Sequence, residues 1–259
     1  MRVARFAGDD DPRFGVVGQD GDTPIIAPIK GDPLYSPLEL TGEKLELASV
    51  RLLTPVIPRS KVIGVGKNFA GHAAEMGTEV PTEPLIFLKP NTSVIGPGEP
   101  IFYPAASNEV HFEGELAVVI GRICRNVEAS DVPKVIYGYT IANDVSARDL
   151  QARDGQWTRA KGFDTFCPLG PWIETDFDPA DVRIQTTLNG ETKQDGRTSD
   201  MVFDVSQIVQ FVSSFMTLLP GDVILTGTPE GVGPMQPGDQ VSVSIDGLGT
   251  LTNSVVEDE

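Results

Sequence analysis

Glycine and proline recur along this chain at a frequency that restricts it to short elements of regular structure. Its 259 residues include 27 glycines and 21 prolines, about 19% of the total against an average near 12%. Proline lacks the backbone N–H that helices and sheets use, and glycine weakens the interior of either element. We therefore expect many short strands joined by turns, and a helical bundle is disfavoured.

Local patterns identify several of these strands. Asn189-Gly190 separates two runs suited to strands, and this dipeptide tolerates the positive φ angles of a type I′ turn. The pattern predicts a hairpin over residues 183–194, and a similar pattern predicts a closing hairpin over residues 241–256. The apolar run at residues 118–120 lacks alternation, which is typical of a buried strand.

Two helices are also predicted. Residues 69–76 are expected to form a short helix that ends at Gly77 in a left-handed cap. Asp204 and Gln207 form a capping-box pattern at the start of an amphipathic helix, which we expect to continue until Pro220 ends it. Because strands outnumber helices, the sequence predicts a strand-dominated α+β fold.

The chain divides into two parts by pattern. Residues 1–55 predict a small N-terminal β domain, in which short alternating runs are separated by turns. Pro55 and Pro58 bracket a linker, and residues 56–259 then form the main domain. A chain of this length can bury a substantial core without disulfide bonds.

Charge and cysteine content exclude several classes of protein. Acidic residues exceed basic ones and give a formal net charge of −17, so neither nucleic acid nor an anionic membrane is an expected partner. Cys124 and Cys167 are too few for a disulfide scaffold and fit a reducing compartment. The sequence shows no signal-peptide pattern and no apolar run of membrane-spanning length. We therefore expect a soluble, cytoplasmic protein.

Three acidic residues are candidates for a metal site. Glu113 and Glu115 are two residues apart at the start of the predicted buried strand, so their carboxylates share one face. Asp144 follows another predicted strand and could supply a third oxygen ligand for Mg²⁺, Mn²⁺ or Ca²⁺. On spacing alone, a solvated strand end and an Asx turn remain the alternatives.

Histidine is rare in this chain, which makes its two occurrences informative. His72 and Glu75 lie three residues apart on the predicted short helix and share a face, as a general base and its carboxylate partner would. An exposed helix pair is the alternative on spacing alone. His111 precedes the Glu113 pair, and we expect it in a supporting or surface role rather than as a ligand.

Nucleotide-binding motifs are absent from the two glycine-rich segments. Residues 227–233 lack the Gly-Lys-Ser/Thr ending of a P-loop, and residues 64–66 lack the third glycine of a dinucleotide fingerprint. The first segment could still present Thr228 and backbone N–H groups to a carboxylate. A net charge of −17 does not attract an anionic substrate, so local cations, namely a bound metal, Lys161, Arg148 or Lys67, would have to bind it. On sequence alone, a solvated surface position is the alternative for Lys161 and Arg148.

Six segments resemble, in the same order, those of the fumarylacetoacetate hydrolase (FAH) superfamily. They are residues 66–76 (GKNFAGHAAEM), 87–90 (FLKP), 113–116 (EGEL), 143–149 (NDVSARD), 162–168 (GFDTFCP) and 225–229 (LTGTP). The resemblance covers residue 55 to the C-terminus, and the small N-terminal unit resembles an extension of bacterial members. The chain departs from the family pattern at Phe69, where tyrosine is common, and at Gly71, where aspartate is common.

The resemblance implies a mixed β-roll or sandwich-like fold, a homodimer, and Mg²⁺ or Mn²⁺ held by three carboxylates. The residues that it assigns are Glu113, Glu115 and Asp144 as metal ligands, His72 and Glu75 as base and partner on a mobile lid, Lys161 as the lysine near the substrate, Gln151 and Thr228 as substrate contacts, and Arg148 as a further candidate contact.

These assignments predict a metal-dependent enzyme that acts on an enolisable 2-oxo acid. The leading prediction is hydrolysis of a C–C bond in an acylpyruvate-like 2,4-dioxo acid, with the metal stabilising the enolate and His72 activating water. The alternatives are an oxaloacetate decarboxylase, an isomerase of 2-hydroxyhepta-2,4-diene-1,7-dioate in aromatic catabolism, and a non-catalytic binding protein of the same fold. The intact triad and the intact His72–Glu75 pair disfavour the last alternative.

Overall fold

Strands dominate the computed structural model, which describes residues 1–8 and 11–258. The strands are β1 (Arg2–Ala7), β2 (Arg13–Asp20), β3 (Thr23–Ile29), β4 (Leu45–Glu46), β5 (Arg51–Leu53), β6 (Val62–Gly66), β7 (Leu85–Lys89), β8 (Val94–Ile95), β9 (Ile101–Tyr103), β10 (Val110–Phe112), β11 (Gly114–Ile120), β12 (Ile136–Asn143), β13 (Ser146–Ala147), β14 (Cys167–Glu174), β15 (Arg183–Leu188), β16 (Glu191–Arg197), β17 (Val223–Leu225), β18 (Gly233–Met235), β19 (Gln240–Ile245) and β20 (Gly249–Glu257). The predicted strand-dominated fold is confirmed.

The helices are short by comparison. They are α1 (Ala70–Glu75), α2 (Arg148–Asp154), α3 (Thr158–Lys161) and α4 (Val205–Phe215), with 3₁₀ turns at Leu47–Ser49, Asn91–Ser93, Ala129–Lys134 and Thr198–Asp200. Within the ranges that the structure describes, no helix has the length and apolar character needed to cross a membrane.

One large sheet runs through the molecule. It has 12 strands in the order β4-β3-β2-β1-β14-β12-β11-β17-β6-β7, with β5 paired to β1 and β8 paired to β14. A five-stranded sheet, β16-β15-β19-β20-β9, and a three-stranded sheet, β13-β10-β18, complete the strands. The N-terminal strands join the rest through the antiparallel pair β1–β14, so residues 1–55 extend the main sheet, and their standing as a separate domain stays a prediction.

The core lies between the large sheet and the elements that cover it. Strand β11 is buried along its whole length, as its uninterrupted apolar pattern predicts. Apolar side chains of α4, among them Ile208 and Val212, pack in the same cluster as Val118 and Ile120 of this strand. The burial fixes the position of β11, at whose start two of the candidate ligands lie.

Sequence patterns correctly predict the turn between β15 and β16 and the start of α4, but not the end of α4. The hairpin β15–β16 turns at Asn189 and Gly190, both with positive φ, and Asp204 caps α4 together with Gln207. The predicted continuation of α4 to Pro220 is wrong, because the helix ends at Phe215.

The early end of α4 has a local cause. Its next residue, Met216, adopts an extended conformation. Leu218 then exchanges two backbone hydrogen bonds with Cys124, of 2.9 and 3.0 Å. This bridge competes with helical hydrogen bonding, which the apolar spacing of the helix could not reveal.

Candidate active site

Three buried carboxylates meet at one end of the strand pair β11–β12. One oxygen from each of Glu113, Glu115 and Asp144 lies within 4.8 Å of the other two. All three side chains are buried, with at most 4% of each residue exposed. The structure thus brings together the three acids that the sequence analysis chose, and their role as metal ligands stays a prediction.

Strand register explains this convergence. Gly114 of β11 pairs with Asn143 of β12, so the adjoining residues Glu113 and Asp144 lie at the same end of the pair. The backbone N–H of Asp144 donates to the carbonyl of Glu113 at 2.8 Å. Glu115 lies two residues after Glu113, which places both on one face of the strand.

Gly114 lets a second sheet support the end of this strand. A Cβ at this position would lie 2.2 Å from Oγ1 of Thr186 and 2.9 Å from Cγ1 of Val243. Its backbone N–H donates to Oε1 of Gln194 at 2.9 Å. Only glycine fits here without displacing these neighbours, so the five-stranded sheet packs closely on the face of the strand opposite the two glutamates.

Basic side chains contact two of the three carboxylates. Nζ of Lys161 lies 2.8 Å from Oε2 of Glu113 and 2.6 Å from Oδ2 of Asp144. Nη2 of Arg148 lies 2.5 Å from Oε1 of Glu113. Nζ of Lys89 lies 2.5 Å from Oδ1 of Asp144. Every carboxylate oxygen of Glu113 and Asp144 therefore has a cationic neighbour.

The surroundings shift the pKa values of two glutamates in opposite directions. Burial raises the pKa of Glu113, but attraction by Lys161 and Arg148 outweighs burial and holds that pKa well below its usual range. The pKa of Glu115 is raised because the side chain is buried and is repelled by Asp144 and Glu113. For Glu115, burial and repulsion thus outweigh the attraction by Lys161 and the hydrogen bond from Gly227.

The donor set fits a hard divalent cation. Its ligand atoms are all carboxylate oxygens, which Mg²⁺ and Mn²⁺ favour. Among the residues that the structure describes, Glu115 receives one hydrogen bond, from Gly227 N–H to Oε2 at 2.7 Å. A cation at the triad would offset the repulsion by Asp144 and Glu113 that raises the pKa of Glu115.

Lys89 is a site residue that the sequence analysis did not assign. It ends β7 and is 2% exposed, and its Nζ also donates to the carbonyl of Val145 at 3.3 Å. A buried lysine is rare unless it is paired. Lys89 directly follows the apolar run Leu85–Leu88. This position therefore indicated a buried lysine that needs a charged partner.

We expect Lys89→Met to lower the free energy of unfolding by about 3 kcal/mol, because Asp144 then loses one of its two buried cations. Urea denaturation followed by circular dichroism measures the change. Lys134→Met is the control, since Lys134 pairs with Asp131 at the surface and should matter little. Equal losses in the two variants would contradict the assigned role of Lys89.

The predicted dyad lies on α1. Nδ1 of His72 lies 3.2 Å from Oε2 of Glu75, and His72 is 6% exposed. The backbone N–H of Gly231 donates to Oε1 of Glu75 at 3.1 Å. Glu75 is held from both sides and can orient the imidazole and support its charged form. The contact between His72 and Glu75 agrees with the predicted pair. The catalytic role of this pair stays a prediction.

Gly77 ends helix α1, and Gly71 lies beside Glu230. Gly77 has φ 64°, the left-handed cap expected from the sequence. A Cβ at Gly71 would lie 2.2 Å from Oε2 of Glu230. This oxygen ends an exposed, flexible side chain, so the contact alone does not require glycine at this position.

A cavity of about 460 Å³ is lined by two members of the triad, Glu113 and Asp144, and by His72 of the dyad. The predicted site residues that line it are Lys67, His72, Glu113, Asp144, Arg148, Gln151, Lys161 and Thr228. Glu75 and Glu115 are not part of its lining. Met76, Phe87 and Trp157 form an apolar wall that the sequence analysis did not identify, and the rings of Phe87 and Trp157 are 5.3 Å apart.

Some predicted substrate contacts already have partners within the protein. Oε1 of Gln151 accepts a hydrogen bond from Nη1 of Arg148 at 2.9 Å. The hydroxyl of Thr228 donates to the carbonyl of Gly114 at 2.9 Å and accepts from Nε2 of Gln194 at 2.8 Å. Thr228 therefore anchors its loop to β11, and contact with a substrate stays a prediction.

His111 lies at the edge of the cavity. Its Nε2 is 3.0 Å from Oε1 of Glu109. Burial and repulsion by Arg148 lower the pKa of His111 despite attraction by Glu109. Among the described residues, the group that could hold a metal ion consists of Glu113, Glu115 and Asp144 and does not include His111.

A strand-dominated fold in which two members of a buried carboxylate triad and a histidine paired with glutamate line one cavity is typical of enzymes that act on small molecules. The model of the fumarylacetoacetate (FAA) hydrolase C-terminal family matches residues 61–256, and that of the Rv2993c-like N-terminal family matches residues 1–55. The chain belongs to the fumarylacetoacetate hydrolase family, and the resemblance noted in the sequence is confirmed.

Relatives of known sequence match most of the chain. Protein Rv2993c of Mycobacterium tuberculosis is 55% identical over 262 residues, which cover 99% of this chain and 98% of the relative. The mitochondrial oxaloacetate tautomerase Fahd2a of Rattus norvegicus is 44% identical over 220 residues, which cover 81% of this chain and 70% of the relative.

Solved structures share the fold. The 5-carboxymethyl-2-hydroxymuconate delta-isomerase of Mycobacterium smegmatis is 53% identical, with a TM-score of 0.93 and full coverage of both chains. Maleylpyruvate hydrolase of Sphingobium sp. SYK-6, in complex with manganese(II) and pyruvate, is 35% identical, with a TM-score of 0.82 and full coverage of both chains. The chain is thus an enzyme of this family, and its particular reaction is a separate question.

Proposed function

We propose that this enzyme catalyses metal-dependent proton transfer at the carbon beside the keto group of a 2-oxo dicarboxylic acid. The observation that carries the proposal is the shared cavity, which is lined by Glu113 and Asp144 of the carboxylate triad together with His72. Relatives at 53% and 44% identity are named an isomerase and a tautomerase, and both reactions move a proton without adding water.

The chain's own residues supply a base and its orientation. His72, held at Nδ1 by Glu75, presents its other ring nitrogen as the base that removes a proton from the carbon beside the keto group. Arg148 and Lys161 keep the ionised carboxylates of Glu113 and Asp144 in place. A bound Mg²⁺ or Mn²⁺ would polarise the keto oxygen and stabilise the negative charge that develops there.

Proton transfer is tested with oxaloacetate in D₂O. We expect the enzyme with Mg²⁺ to accelerate deuterium incorporation at C3 by at least about tenfold over Mg²⁺ alone, as measured by proton NMR. EDTA should remove the acceleration. Acceleration that persists in EDTA, or none in Mg²⁺, would contradict the proposal.

Hydrolysis of an acylpyruvate is the second candidate, because a 35% identical relative is named a maleylpyruvate hydrolase. In that reaction His72 would deprotonate water, which attacks the acyl carbonyl, and the C–C bond would break to give a carboxylate and pyruvate. Release of acetate and pyruvate from acetylpyruvate tests it directly.

Oxaloacetate decarboxylation is followed in the same samples as pyruvate and bicarbonate formed above the rate with Mg²⁺ alone. The choice of Mg²⁺ or Mn²⁺, the homodimer and the cytoplasmic location stay predictions.

A further inference from the structure

The cations that line the cavity differ in how they are paired. Arg148 and Lys161 contact the carboxylates of Glu113 and Asp144 at 2.5 to 2.8 Å. Lys67 also lines the cavity and is only partly exposed. Within residues 1–8 and 11–258, it is the cavity-lining cation that has no carboxylate partner.

The backbone of Lys67 is held in an uncommon conformation. Its φ is 58°, a left-handed value that a non-glycine residue rarely adopts. Neighbouring Asn68 is 1% exposed and fixes the chain, since its side chain donates to the carbonyls of Phe203 and Thr226 at 3.0 and 2.7 Å. Such strain is concentrated at functional sites, where it sets the direction of a side chain.

A 2-oxo dicarboxylate presents two anionic ends to this cavity. One end carries the keto acid that reacts, and the second carboxylate must lie elsewhere in the cavity, part of whose wall is formed by Met76, Phe87 and Trp157. A carboxylate against an apolar wall is costly unless a cation binds it. Arg148 and Lys161 already pair with Glu113 and Asp144, which leaves Lys67.

We propose that Lys67 binds the second carboxylate of the substrate and makes the enzyme selective for 2-oxo dicarboxylates over 2-oxo monocarboxylates of the same length. This inference rests on the proposed function for the identity of the reacting end. It assigns Lys67 a role in specificity, and no role in proton transfer.

The test compares substrates that differ only in the second carboxylate. Oxaloacetate and 2-oxobutanoate are used for deuterium exchange with Mg²⁺, and 2-oxobutanoate is measured as a competitive inhibitor if it does not react. We expect Lys67→Met to reduce the preference for oxaloacetate by roughly 10- to 100-fold, the worth of one hydrogen bond between charged groups, mainly through KM. Lys67→Arg should restore most of the preference, and Lys134→Met, at an exposed lysine, should leave it unchanged.

A binding experiment separates failure of this inference from failure of the proposed function. Calorimetry of the Mg²⁺-loaded protein with 2-oxoglutarate and 2-oxopentanoate compares a dicarboxylate and a monocarboxylate without requiring turnover. Weaker binding of 2-oxoglutarate alone in Lys67→Met supports the inference even if no exchange is observed. Equal weakening of both ligands, or of neither, overturns it, and wild-type protein that binds 2-oxoglutarate but exchanges nothing refutes only the proposed function.

Discussion

Glu115→Gln is expected to weaken Mn²⁺ binding by at least about 100-fold and to reduce turnover by about 1000-fold. Glutamine has nearly the size of glutamate and can still accept the hydrogen bond from Gly227 N–H, so the fold should survive. The charge removed is the one that burial and repulsion by Asp144 and Glu113 make costly. The variant should therefore bind the metal poorly while its free energy of unfolding stays the same or rises.

Manganese titration followed by electron paramagnetic resonance measures the affinity, and deuterium exchange measures turnover. Glu109→Gln is the matched control, because Glu109 lines the same cavity but lies outside the triad and pairs with His111. It should bind Mn²⁺ with nearly unchanged affinity. If the two variants lose Mn²⁺ equally, general charge in the cavity, rather than the triad, attracts the metal.

The fold could be predicted from the sequence where local chemistry decides it. Asn189 and Gly190 specify a turn, and Asp204 with Gln207 specifies a helix start, because each depends on its neighbours alone. The end of α4 was not predictable in this way. It depends on a bridge between Leu218 and a residue far away in the chain, Cys124.

Sequence spacing identified the candidate carboxylates and the candidate histidine of the site, because residues two apart on a strand or three apart on a helix share a face. Glu113 and Glu115 indicated one face of a strand, but only the pairing of β11 with β12 brings Asp144 beside them. The partner of Lys89 could not be assigned from spacing, since the contact between Lys89 and Asp144 spans 55 residues. The apolar wall was missed for the same reason, as Phe87 and Trp157 meet only in the folded chain.

His72→Gln is expected to lower the rate of proton transfer by roughly 100- to 10,000-fold, the usual contribution of a positioned base. Mn²⁺ affinity should remain within about threefold, because His72 lies outside the triad that ligates the metal in our proposal. Glu75→Gln should give a smaller loss, since the imidazole remains but its orienting carboxylate is replaced by an amide.

The chain supplies its own control for this variant, because His111 is its other histidine and contacts Glu109 rather than Glu75. His111→Gln should retain most of the exchange activity. Decarboxylation of oxaloacetate removes no carbon-bound proton, so any such activity of the wild type should survive in His72→Gln and disappear in Glu115→Gln. Loss of Mn²⁺ binding to the same extent in His72→Gln and Glu115→Gln would show that base and metal site are not separate, and the division of roles would have to be abandoned.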